Sequence, residues 1–90
     1  MAVATKKQKP WGHWGAWVWV KWKSGAPEDA AMHWKDIKEI KEAWSTTGKW
    51  DCALWIDAND PNEIEKIVWK EIRPNKWVDQ TETHWSKKFW

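Results

Sequence analysis

The chain has 90 residues, enough for one domain and too few for two. Hydrophobic residues make up 42% and charged residues 31%, which excludes a disordered tail and fits a soluble globular chain. Fifteen basic and thirteen acidic side chains leave a net charge of only +2, well short of the footprint of a dedicated nucleic-acid binder. No apolar run approaches the roughly 18–20 residues of a membrane span. The basic start, Met1 to Pro10, lacks the apolar stretch of a secretory signal. A single cysteine, Cys52, excludes an internal disulfide framework and a Cys-rich zinc site, and a reducing cytoplasm is the expected compartment.

One number is abnormal. There are 13 Trp, no Tyr and 1 Phe (Phe89). Natural chains spread their aromatic positions over all three residues. A chain that gives nearly all of them to Trp reads as an engineered variant.

Residues 1–12, with Lys6, Lys7 and Lys9 ahead of Pro10, read as a flexible basic arm, leaving residues 13–90 as the domain. Ala16 to Lys23 is β-branched and aromatic, which predicts a strand stopped by Ser24-Gly25. Both of its faces are apolar, Trp17 and Trp19 on one and Ala16, Val18, Val20 and Trp22 on the other. Such a strand belongs to a sheet covered on both sides. Ala26 to Lys35 is predicted as a helix: Pro27 suits a first turn, Glu28 and Asp29 suit the dipole, and Ala30, Ala31 and Trp34 make a stripe. Residues 40–47 carry no helical stripe and read as a strand that ends at Gly48. Trp50 to Asp57 is a second strong strand, so the two form a hairpin. Asp60, Pro61 and Glu63 are an N-cap, a first helical residue and a capping-box partner. Ile64, Ile67, Val68 and Ile72 then recur at helical spacing, predicting a helix over 61–73. Trp77 to Phe89 is the last strand.

The predicted order is β-α-β-β-α-β, an α+β, ferredoxin-like fold: four antiparallel strands with two helices on one face. Nothing within the chain covers the other face, where Trp17 and Trp19 point. A second copy of the sheet is the simplest cover, so a homo-oligomer, at least a dimer, is expected. Magnitude agrees. At ~150–250 Å² each, all the Trp together need on the order of 2,600 Å² of cover, more than so small a core supplies. Trp17, Trp19, Trp44 and Trp55 are the candidate interface and core indoles.

Five segments, Ala16–Gly25 (AWVWVKWKSG), Ile37–Trp44 (IKEIKEAW), Thr46–Asp51 (TTGKWD), Asp57–Pro61 (DANDP) and Val78–Thr83 (VDQTET), together carry a resemblance. Over residues 16–88 the chain resembles the stand-alone effector-binding domain of the Lrp/AsnC feast/famine regulators, with Trp where an ordinary member would carry Tyr, Phe, Leu or Val. The resemblance implies a dimeric α/β barrel formed through the sheets, closure of dimers into rings, and an amino-acid-like small effector. It also implies that direct DNA binding is absent, because residues 1–10 are too few for the helix-turn-helix of the full regulators.

Carried over by motif, the effector site involves Thr47, Gly48 and Asp51 of the hairpin and Thr81 and Thr83 of the last strand. Asp51 can accept from an ammonium. Backbone N–H groups near Gly48 and the Thr hydroxyls can serve a carboxylate. The same residues are also ordinary turn and strand formers. Trp50 and Trp55 are expected to add volume beside this site and to weaken free amino-acid binding.

No other constellation carries chemistry. His13, His33 and His84 lack metal-ligand spacing, and Cys52 sits mid-strand as a buried, inert thiol. Gly12-x-x-Gly15 precedes a strand and is no phosphate loop. No catalytic set, cofactor motif or metal is expected, so the chain reads as a non-enzyme. Two alternatives share its features: an enzyme of the dimeric α/β-barrel type, such as an oxygenase or isomerase, and a nucleic-acid or glycan binder that uses Trp as stacking platforms.

Overall fold

The computed structural model describes residues 14–58 and 60–87. The arm expected over 1–12, His13 and Phe89 lie outside the described residues. Strand β1 (Trp14–Trp22) is followed by a 3₁₀ turn (Met32–Asp36), β2 (Ile40–Ser45), β3 (Cys52–Asp57), helix α1 (Pro61–Ile67) with a π-helical continuation (Val68–Ile72), and β4 (Val78–Lys87). The strands form one sheet in the order β2-β3-β1-β4. Every neighbouring pair is antiparallel. This is the ferredoxin-like order, with β1 and β3 central.

Alternation builds the core. Ala16, Val18 and Val20 of β1 are fully buried and pair with Ile56, Leu54 and Cys52 of β3. Ile64, Val68 and Ile72, four residues apart, lay one stripe of the helix across them. The helix starts where its residues dictate. The Asp60 carboxylate accepts from the N–H of Asn62 at 2.8 Å and of Glu63 at 3.2 Å, and Pro61 occupies the first helical position. Its last turn widens: the Arg73 N–H donates to the Val68 carbonyl at 2.8 Å, a five-residue step.

The helix predicted over 26–35 does not form. Ala30, Met32, Trp34 and Ile37 each donate an N–H to the carbonyl three residues earlier, at 3.0–3.1 Å. Turns and the 3₁₀ segment Met32–Asp36 replace it, so one α-helix covers the sheet where two were expected. The reason lies in packing. Only Ala30 and Trp34 of this crossing are buried, too short a stripe to offset the cost of nucleating a helix. Trp34 instead drops into the core, stacks on Trp22 at 5.6 Å, and donates its Nε1–H to the Glu71 carbonyl at 2.8 Å. With so little above it, β2 is mostly exposed.

The other face of the sheet has no cover among the described residues. The pairings place Trp44, Ala53, Trp19 and Glu82 in one row across it, and Glu42, Trp55, Trp17 and His84 in the next. The Trp17 ring lies 5.1 Å from Trp55 and 6.3 Å from Trp19, centroid to centroid. Trp17, Trp19 and Trp55 are half-buried by one another, and Trp44 is 58% exposed.

Candidate functional site

The hairpin turn and the outer edge of β4 meet beside the C-terminus of the helix. Gly48 holds the turn with φ +91°, in the left-handed region that favours glycine. The Thr46 hydroxyl donates to the Trp50 carbonyl at 2.8 Å and closes the loop. Asp51 then ties the hairpin to β1. Its N–H donates to the Val20 carbonyl, and its Oδ2 accepts the Trp22 N–H at 2.9 Å. One step further, the Lys23 N–H donates to the Trp77 carbonyl at 2.7 Å, which fixes the approach to β4.

These ties leave an open cleft of about 400 Å³ along the β4 edge. Lys49 and Trp50 of the hairpin form one wall, Arg73 closes the helix side, and residues 78–82 form the floor. Of the carried-over residues, Thr81 lines this cleft and the others do not. Thr47 is exposed, and a Cβ on Gly48 would meet nothing within 4 Å. Asp51 spends a carboxylate oxygen on the backbone of β1. Thr83 pairs with Val18 and is half-buried on the helix side of β4. Trp50 does add an indole to the cleft. Trp55 does not: it lies on the helix-free face, against Gly15.

Sequence reasoning missed Lys49, Arg73 and Asp79, which supply the cleft's charge. Two cations and a carboxylate around one small cleft can hold a zwitterion, with Thr81 and Gln80 as neutral hydrogen-bonding partners. The four-residue spacing of Trp69 and Arg73 was the signal available for one of them. The Arg73 guanidinium lies 4.2 Å from the Trp69 ring centroid, and Lys49 lies 5.4 Å from that of Trp50.

The described histidines each meet a polar neighbour. His33 Nε2 faces Asn75 Nδ2, and His84 faces Glu82. No three His, Cys, Asp or Glu side chains gather to hold a metal ion among the described residues. Burial, with a smaller contribution from the Asp51 charge, raises the Cys52 thiol from 9.0 to about 11, which keeps it protonated at neutral pH. No helix among the described residues is long and apolar enough to cross a membrane.

A family model described as the Lrp/AsnC ligand binding domain matches residues 15–88. The chain belongs to that family. No curated protein sequence matches it. Solved structures of similar fold include the protein TTHA0845 from Thermus thermophilus, which is 19% identical with a TM-score of 0.77, the match covering 86% of this chain and 96% of that one. A second is the transcriptional regulator NMB0573 of Neisseria meningitidis in complex with L-Met, 18% identical with a TM-score of 0.77, covering 98% of this chain and 56% of that one. A third is the leucine response regulatory protein LrpA of Mycobacterium tuberculosis, 21% identical with a TM-score of 0.74, covering 88% and 55%. At these identities the likeness is one of fold. This Lrp/AsnC domain spans little more than half of either regulator.

Proposed function

We propose that the chain is an engineered, Trp-rich, homo-oligomeric scaffold built on an Lrp/AsnC small-molecule-binding domain, with an amino-acid-like effector as its ligand and no catalytic step. The observation that carries the assembly is the helix-free sheet face, where Trp17, Trp19 and Trp55 pack on one another and Trp44 stands 58% exposed. Indoles of ~150–250 Å² each, with the side chains around them, reach the scale of the ~800 Å² per partner that a stable dimer buries. A second copy of the same face is self-complementary by two-fold symmetry. It satisfies the apolar centre and leaves Lys21, Glu42, Glu82 and His84 at the rim.

The effector belongs in the β4-edge cleft. Its Lys49 and Arg73 suit a carboxylate, and its Asp79 suits an ammonium. All of these are groups that bind and orient.

Iodide quenching of Trp emission tests the reading. With the sheet face covered by a second copy, replacing Trp17, Trp19 or Trp55 by Phe leaves the quenchable emission unchanged, because those indoles are shielded. Loss of quenchable emission in these variants would mean an open face and favour a stacking platform for nucleic acid or glycan.

A further inference from the structure

We infer that Arg73 and Trp69 form a stacked pair that reads the carboxylate of the cleft's ligand, Arg73 by direct contact and Trp69 by holding the guanidinium in place. The inference rests on the reading of the β4-edge cleft as the effector site. Three features point to it.

The backbone of Arg73 is fixed. Its N–H donates to the Val68 carbonyl at 2.8 Å, Pro74 follows, and the Asn75 N–H closes onto the Ile72 carbonyl at 3.2 Å. The widened turn therefore ends the helix at one defined point, and Arg73 projects from it into the lining of the cleft.

The side chain is oriented by a ring. The guanidinium carbon lies 4.2 Å from the centroid of Trp69, which is itself 62% exposed. Stacking uses the face of a guanidinium. Its N–H donors lie in the plane, at the edge, and remain available as the fork that matches a carboxylate.

The charge is uncommitted. Among the described residues Arg73 makes no ion pair with Asp79, although both line the same cleft, and Glu82 pairs with His84. A cation held over a ring, beside a carboxylate that it does not neutralise, is prepared for an anion from outside the chain. Asp79 is then left for a positively charged group on the same molecule.

The experiment uses the whole chain labelled with 5-fluorotryptophan and read by ¹⁹F NMR, the Trp69 line being assigned by its loss in Trp69→Phe. The probes are L-methionine, its decarboxylated amine and its deaminated acid. The expected result is that L-methionine and the acid shift the Trp69 line and the amine does not. Arg73→Gln should abolish the shift, and Arg73→Lys, which keeps the charge and loses the fork, should weaken L-methionine binding about tenfold or more. Trp69→Leu should weaken it as well, and Trp69→Phe, which keeps a ring under the guanidinium, should restore most of it. Both side chains are exposed, so unchanged circular dichroism serves as the folding control. Wild-type binding that survives Arg73→Gln would overturn the inference and leave the effector reading standing. No binding of either carboxylate by the wild-type chain would overturn both.

Discussion

The benzene ring of Trp55 occupies the space that a side chain at Gly15 would fill. A Cβ on Gly15 would come within 2.5 Å of Trp55 Cη2 and 3.0 Å of its Cε2. The two residues are diagonal neighbours on the helix-free face, since Trp55 pairs with Trp17 and Gly15 lies two positions before it. The indole cluster on this face therefore depends on a glycine as much as on its rings. Gly15→Ala should lower stability by about 1–3 kcal/mol, the usual cost of overpacking. In a Trp55→Leu background the same change should cost little. Urea denaturation of the two single variants and the double variant gives the coupling directly.

Trp19 and Trp34 make a paired test of indole hydrogen bonding. Trp34 donates to the Glu71 carbonyl at 2.8 Å, and the buried Nε1 of Trp19 has no acceptor among the described residues. Both lose volume on replacement by Phe, but Trp34→Phe also orphans a carbonyl, and Trp19→Phe removes an orphaned donor. Trp34→Phe should be the more destabilising by about 1–3 kcal/mol in chemical denaturation.

Asp51 should behave as a structural clamp. Its carboxylate accepts the Trp22 N–H at 2.9 Å, where β1 meets the hairpin. Asp51→Ala should cost about 1–3 kcal/mol and speed hydrogen exchange at the Trp22 amide, with Asp51→Asn restoring most of the protection through its remaining carbonyl oxygen. L-Methionine binding should fall far less in Asp51→Asn than in Arg73→Gln.

Cys52 sets a pH dependence. Its thiol titrates near 11 in the folded chain against 9.0 when unperturbed, because burial disfavours the thiolate. The folded pKa is raised, so the contribution is fully present below the unfolded value and is lost as pH rises from 9.0 toward 11. A shift of this size corresponds to about 3 kcal/mol. Urea midpoints measured across this range should fall more steeply for the wild-type chain than for Cys52→Ala. At neutral pH, iodoacetamide should label Cys52 only after unfolding.

What the sequence disclosed was local pattern. Ala16, Val18 and Val20 alternate, and Ile64, Val68 and Ile72 recur every fourth residue, so β1 and the helix were legible with their buried faces. The first crossing was not. Pro27, Glu28 and Asp29 resemble a helix start, whereas the 3₁₀ course depends on Trp34 reaching Trp22 and Glu71, contacts 12 and 37 residues away in sequence. The site divides in the same manner. The position of Thr81 was legible because it lies on a recognisable strand, and that strand forms the cleft floor. Gly48 holds the turn, and Asp51 accepts the Trp22 N–H, a contact that the motif alone did not display. Arg73 read as the end of a helix, and only the fold brings it opposite Lys49 and Trp50.

In the proposed homo-oligomer a second copy of the chain covers the Trp17–Trp19–Trp55 face. Light scattering on the size-separated chain at micromolar concentration tests it most directly. A mass of twice the monomer's 10.8 kDa or a larger multiple is expected. A peak at the monomer mass would contradict it.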